Sequence, residues 1–290
     1  MGDVLAGNHA VWEFDADSDS VLIRFARGMR TPRLWNALGE RRIPLEALSG
    51  VTVGAATAGV GRRETVVLRA VPRPGADPLM DAAAGQLKEA CDPYRLVLPG
   101  DRADQAAAFA AALRERLGPE GEGTPAERFL VAVPQPPLLL KAYDARVGFD
   151  GSAVTFHWSR TGASSAKWRA GDQRFALAAL AGVEWVSPDR PGGGYLRLLP
   201  RDPAESPAAP DHDLAAAVFG VGYGAVHESL PFAAAVLAAL AALRERAPVG
   251  SVPRARISGE RLRHLSELHS TGLLTDAEYE TLRARFTAGA

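Results

Sequence analysis

The polar and apolar positions of this chain fall into short runs, not long periodic stretches. His9–Phe14 and Ser20–Phe25 are rich in β-branched and aromatic residues and are separated by the acidic turn Asp15–Asp19. That arrangement predicts a β-hairpin. Further short strands are expected over Arg42–Leu45, Gly50–Val53, Thr65–Val71 and Tyr94–Val97. The period then changes. Phe109, Leu113 and Leu117 share one face of a predicted helix, with Asp101 as N-cap and Gly118 as the stop. The second half follows the same plan. Arg146–Phe149 and Ala153–Trp158 flank Asp150-Gly151-Ser152, a tight turn because glycine accepts positive φ. Gly192–Gly194 reads as another hairpin turn, and Gly220–Gly224 as a strand or bulge. A second helix takes Ser229 as N-cap, with Phe232, Val236, Leu240 and Leu243 on one face. Its apolar stretch, Leu230–Leu243, is shorter than the ~20 residues that span a bilayer, so it reads as a buried helix.

The two halves repeat each other. Ala111-Ala112-Leu113-Arg114-Glu115-Arg116 recurs unchanged as Ala241-Ala242-Leu243-Arg244-Glu245-Arg246. Phe14-Asp15 matches Phe149-Asp150, Val21-x-x-x-Phe25 matches Val154-x-x-x-Trp158, and Trp35 matches Trp168. Ile43-x-Leu45-x-x-Leu48-x-Gly50-Val51 matches Phe175-x-Leu177-x-x-Leu180-x-Gly182-Val183, and Leu68-Arg69 matches Leu196-Arg197. Alanine-rich bias accounts for the first match but not for aromatic and glycine positions kept in one order. The chain is therefore read as a duplication. Antiparallel strands followed by one amphipathic helix make an α+β class. The pattern resembles the pleckstrin-homology-like (PH-like) fold, which implies two antiparallel β-sandwich or partial-barrel domains, each closed by a C-terminal helix. More narrowly, the tandem arrangement resembles the actinobacterial family called domain of unknown function 4429, for which no activity is implied.

The expected boundaries are a first repeat at 1–118, a Pro/Gly linker at 119–137, a second repeat at 138–246, a short linker at 247–256 and a helical hairpin at 257–290. Pro136-Pro137 favours an extended linker path. In the hairpin, Ser258 caps a helix carrying Leu262, Leu265 and Leu268, Ile257 staples to Leu262, and Gly272 ends it. Thr275-x-x-Glu278 is a capping box for a second helix carrying Tyr279, Leu282 and Phe286. With Leu273 and Leu274, these residues resemble the SHOCT segment, a short C-terminal helical domain associated with oligomerisation. So short a segment rarely buries enough surface to stand alone. Its stripe of Leu262, Leu265, Leu268, Leu273, Tyr279, Leu282 and Phe286 is expected to meet a second chain, a partner protein or the chain's own repeats.

Charge and composition change this picture little. The 290 residues carry a formal net charge of -1, which gives no general attraction to nucleic acid, and none is expected as a partner. The one cysteine, Cys91, excludes an internal disulfide and fits a reducing cytoplasm. No signal peptide is recognised at the N-terminus. Lys88, Lys141 and Lys167 are the only lysines, and all other basic residues are arginine. No catalytic, cofactor or metal constellation emerges. His264 and His269 miss the helical spacing of a zinc pair. Asp211-His212-Asp213 lacks a partner cluster, and Cys91 lacks an activating base. Gly59-Val60-Gly61-Arg62-Arg63 is either an anion-holding turn or a plain basic one. The candidate anion-binding positions are Arg24, Arg27, Arg33, Arg41, Arg42, Lys167 and Arg169, with Arg30, Arg160 and Arg174 beside them. The matched tryptophans are expected in the core. The functional expectation is a non-enzymatic cytoplasmic scaffold whose hairpin mediates oligomerisation or partner docking. The alternative is a peripheral membrane protein that binds anionic lipid through its arginine-rich faces.

Overall fold

The computed structural model describes residues 3–14, 19–56, 64–117, 124–202 and 208–246. The first repeat opens with a four-stranded antiparallel meander: β1 (Asp3–Ala6), β2 (Ala10–Phe14), β3 (Ser20–Phe25) and β4 (Glu40–Pro44). A short helix, α1 (Arg33–Leu38), bridges β3 and β4. A three-stranded meander follows: β5 (Leu48–Ala56), β6 (Thr65–Pro72) and β7 (Arg95–Pro99). Helix α2 (Pro78–Ala83) lies in the β6–β7 excursion, and α3 (Ala103–Leu117) ends the repeat. The second repeat has the same strand order, with no counterpart of α2 among the described residues: β8 (Leu138–Lys141), β9 (Ala145–Phe149), β10 (Ala153–Trp158), α4 (Ser165–Ala170), β11 (Gln173–Ala176), β12 (Leu180–Val186), β13 (Tyr195–Pro200), β14 (Ala216–Val218) and α5 (Val226–Arg246).

Alternation explains the strands. Ala10, Trp12 and Phe14 of β2 and Val21, Ile23 and Phe25 of β3 are buried on one face, and Val147, Phe149, Val154 and Phe156 do the same in the second repeat. The terminal helices supply the opposing surface. Phe109 of α3 meets Phe14 edge-on with ring centroids 6.4 Å apart, and Phe232 of α5 meets Phe149 at 6.3 Å. The residue that matches Phe109 in the duplicated sequence is Ala239, so the second repeat takes its ring from an earlier turn of its helix. Helix α5 begins at Val226 and is correspondingly longer. By length and composition it is the one helix among the described residues that could cross a bilayer, yet Leu230, Phe232, Ala234, Val236 and Leu240 are buried in the core.

The caps differ from the sequence expectation. Asp101 lies inside a 3-10 turn, Gly100–Arg102, leading into α3. Ser229 lies inside α5, where its Oγ donates to Ala225 O at 3.1 Å and accepts from Trp185 Nε1 at 2.9 Å. A serine can satisfy itself on a carbonyl one turn back as readily as at a helix start. Strands β1 and β8 and helices α1, α2 and α4 are additions to the predicted elements. The Pro136–Pro137 peptide is cis, where the sequence suggests an extended path. The hairpin over 257–290 lies outside the described residues.

The repeats form part of one compact unit, Met1–Leu243, and their buried side chains run continuously. Gln86, just after α2, bridges them: its Nε2 donates to Trp185 O at 2.9 Å and its Oε1 accepts from Ser187 N at 3.1 Å. Lys88 pairs with Asp189 at 2.9 Å across the same boundary. The linker folds back on the first repeat, where Arg73 donates to Thr124 O and Pro125 O and Leu130 N donates to Ala76 O.

Candidate functional site: a cationic hollow in the second repeat

Each repeat contains a buried ion pair, and both recruit residues that the sequence reading places on an anion-binding face. In the first repeat, Arg41 donates both terminal nitrogens to Asp77, at 2.8 and 2.9 Å, and Tyr94 OH donates to the same carboxylate at 2.8 Å. Asp77 also caps α2 by accepting from Leu79 N. Burial opposes the charge on Arg41, but Asp77 and Tyr94 together outweigh it and hold the guanidinium protonated. In the second repeat, Lys167 is fully buried and donates to Asp144 Oδ2 at 2.6 Å, Pro210 O at 2.7 Å and Ala216 O at 2.8 Å. Burial pushes the Asp144 carboxyl up from its ordinary range, against the pull of Lys167. Arg41 and Lys167 are therefore structural cations with saturated partners, which corrects their assignment as ligand groups.

The other candidates are on the surface. Arg24 is held between Glu13 and Glu40, Arg42 donates to Ser20 Oγ, Arg169 donates to Ser165 O of its own helix, and Arg174 pairs with Asp150. Arg27, Arg30, Arg33 and Arg160 are exposed. Trp35 is core as expected, tilted against Phe25 with its Nε1 donating to Cys91 O. Trp168 is half-exposed. Lys167 takes the inward position on α4 that Leu34 takes on α1, and the larger Trp158 stands where the first repeat has Phe25. Cys91 is partly buried, and burial raises its thiol above its ordinary range, which disfavours the reactive thiolate. Asp213 is committed to Arg197 at 2.9 Å. Among the described residues, no group of three or more His, Cys, Asp and Glu side chains converges for a metal. The Gly59–Arg63 turn, most of the Asp15–Asp19 loop, and His264 and His269 lie outside the described residues, as does the stripe Leu262, Leu265, Leu268, Leu273, Tyr279, Leu282 and Phe286.

The structure brings together a set of residues that the sequence does not single out. Lys141 of β8 pairs in register with Arg146 of β9, and Arg146 with His157 of β10. Neighbours across three strands point to one face, so the three basic side chains form a row on the outer surface of the sheet. The row floors a hollow of about 540 Å³, walled by Tyr143, Ser159, Thr161 and Tyr223. Lys141 Nζ sits 5.1 Å over the Tyr223 ring, and Tyr143 and Tyr223 meet edge-on at 6.1 Å. His157 Nδ1 donates to Asp172 Oδ2 at 2.7 Å. Lys141 and Arg146 have no carboxylate partner among the described residues.

The walls are built to stay put. Asp144, the anchor of Lys167, belongs to the β8–β9 loop and also accepts from Val218 N at 2.8 Å. Gly162 lets the β10–α4 loop close in, since a Cβ there would lie 2.1 Å from Tyr143 O. Gly224, with φ of +65°, takes a conformation that other residues rarely adopt and donates to Lys141 O at 2.9 Å. The Gly220–Gly224 segment is thus a turn that carries Tyr223 to the hollow, not a strand.

The first repeat has the same strand register but not the same chemistry. Its equivalent row is Ala6, Val11 and Arg24, by the pairs Ala6 with Val11 and Val11 with Arg24. Among the described residues, the row of three basic side chains belongs to the second copy and has no counterpart in the first. Two tandem α+β repeats of like topology, one bearing a cationic surface hollow, define the class of this protein. The chain belongs to the family described as a domain of unknown function, DUF4429, which matches residues 12–114 and 147–237, one stretch in each repeat. No curated relative and no solved structure matches the chain.

Proposed function

We propose that this is a non-enzymatic interaction protein of two PH-like modules, the second of which holds an anionic group on Lys141 and Arg146. The order of four-stranded meander, three-stranded meander and terminal helix, repeated in both copies, supports the PH-like reading with each helix closing its sheets. The observation that carries the ligand reading is the pair of cations in register, without carboxylate partners among the described residues, beside two tyrosine rings. A phosphate or carboxylate fits two charge-assisted donors, and the tyrosines offer an apolar wall and hydroxyls. The single cysteine supports a cytoplasmic setting. Calorimetric titration of the full chain with inorganic pyrophosphate tests the hollow. Each charge-assisted hydrogen bond contributes about 1.5–3 kcal/mol, so Lys141→Ala with Arg146→Ala weakens binding by roughly a hundredfold or more, and Arg24→Ala leaves it unchanged. Equal binding by the double variant removes the site.

The capped and stapled sequence after residue 256 favours a second role, self-association or partner docking through Leu262, Leu265, Leu268, Leu273, Tyr279, Leu282 and Phe286. Light scattering of the full chain against its Leu265→Asp, Leu282→Asp variant checks self-association. A fall in mass is expected, and an unchanged mass leaves the segment without that role.

A further inference from the structure

We propose that the surface around the hollow docks on an anionic lipid bilayer, with Met29 and Val221 entering the acyl boundary. In its use of Lys141 and Arg146 the proposal rests on the reading above; the apolar tips and the arginines of the first repeat stand apart from it. Met29 and Val221 are the most exposed large apolar residues described, at 105% and 101% of a reference exposure, well above Leu139 at 77%. Isolated apolar residues on a surface are ordinary. These two stand on braced turns among cations. Met29 tops the turn closed by Thr31 N donating to Gly28 O. Asn36 pins that turn, accepting from Gly28 N and donating to Gly28 O and Thr31 O, while Thr31 is buried. Val221 tops the turn in which Tyr223 N donates to Gly220 O at 2.9 Å.

The two turns are linked through Arg33, four residues after Met29. A second hollow, about 420 Å³, lies between the repeats and is lined by Arg33 and Leu34 from one side and Val221, Gly222 and Tyr223 from the other. Tyr223 also walls the hollow of Lys141 and Arg146. Arg27, Arg30 and Arg33 flank Met29 and, like Lys141 and Arg146, have no carboxylate partner among the described residues. Asp189, Asp172 and Asp144 are each paired, with Lys88, His157 and Lys167 respectively. One apolar tip flanked by unpaired arginines, and a second that shares a hollow with Arg33, match a medium that is apolar inside and anionic at its surface. A nucleic acid would satisfy the cations yet leave both tips in water.

The test is sedimentation of the full chain with vesicles of equal parts phosphatidylglycerol and phosphatidylcholine, against pure phosphatidylcholine, at low salt, alongside the pyrophosphate titration. The protein is expected to pellet with the anionic vesicles and to be released by salt. Met29→Ser with Val221→Ser lowers vesicle affinity at least tenfold and leaves pyrophosphate binding unchanged. Both positions are fully exposed, so the variant folds, which its thermal unfolding verifies. Arg27→Glu with Arg30→Glu abolishes pelleting. Absence of pelleting on anionic vesicles, or pelleting indifferent to Met29→Ser and Val221→Ser, overturns the proposal. Pyrophosphate binding without vesicle binding overturns it and leaves the hollow standing. Tip-dependent vesicle binding without pyrophosphate binding upholds it and removes the hollow as an anion site.

Discussion

Among single residues, the buried charges decide most. Asp77 accepts four hydrogen bonds at once, two from Arg41 and one each from Tyr94 and Leu79, and is almost wholly buried. Removing it strands a buried guanidinium, which costs about 3–5 kcal/mol. Asp77→Ala is therefore expected to lower the unfolding free energy by that amount in urea denaturation, and a loss below about 1 kcal/mol, the scale of a surface pair, would contradict the assignment. Arg41→Met with Asp77→Leu removes both charges and should be milder than Asp77→Ala. Asp150 is the exposed counterpart. It accepts from Ser152 N, Ser152 Oγ and Ala153 N in the β9–β10 turn, and those bonds hold its carboxyl well below the usual carboxylate range. Because the folded value is depressed, its stabilising effect is present above the ordinary value of about 3.9 and fades as pH falls through the folded value. A carbon-detected titration of Asp150 should find no midpoint near 3.9, and Asp150→Ala should flatten the acid limb of the stability curve. A normal midpoint would show the turn to be open in solution.

At the scale of elements, hairpins and terminal helices are legible in the sequence, because they depend on local period and turn chemistry. Ser20–Phe25 and Ala153–Trp158 are strands with the predicted bounds. Strands β1 and β8 are not legible, since Leu138-Leu139-Leu140-Lys141 lacks alternation and acquires its faces only by pairing with β9. The cationic row was hidden for that reason: it is a cross-strand feature, and one of its strands has no signature. Arg41 and Lys167 look like surface cations because their carboxylate partners, Asp77 and Asp144, are far away in sequence. Gln86 is equally invisible in the sequence, a side-chain amide completing the backbone bonding of β12 and the residue that follows it. Gln86→Ala should cost about 1–3 kcal/mol for the groups left unpaired and should speed hydrogen exchange at the Ser187 amide. Unchanged protection at Ser187 would mean that the bridge between the repeats does not persist.

Over the whole molecule, duplication followed by divergence is the organising fact. The two copies keep strand order, register and the aromatic contact between second strand and terminal helix. They differ in their buried ion pairs, Arg41–Asp77 in one and Lys167–Asp144 in the other, and on the outer sheet surface, with Ala6, Val11 and a neutralised Arg24 in one and Lys141, Arg146 and His157 in the other. The first copy also contributes α2 and Gln86 to the second, so one repeat acts partly as a brace for its neighbour. The central claim is that, of the two equivalent strand rows, only Lys141, Arg146 and His157 of the second copy hold pyrophosphate. Amide chemical-shift mapping of the full chain during pyrophosphate addition tests this most directly. The account predicts saturable shifts at residues 141–146, 157–161 and 223, and none at 6, 11 and 24. Shifts spread equally over both copies, or absent from the hollow, would contradict it.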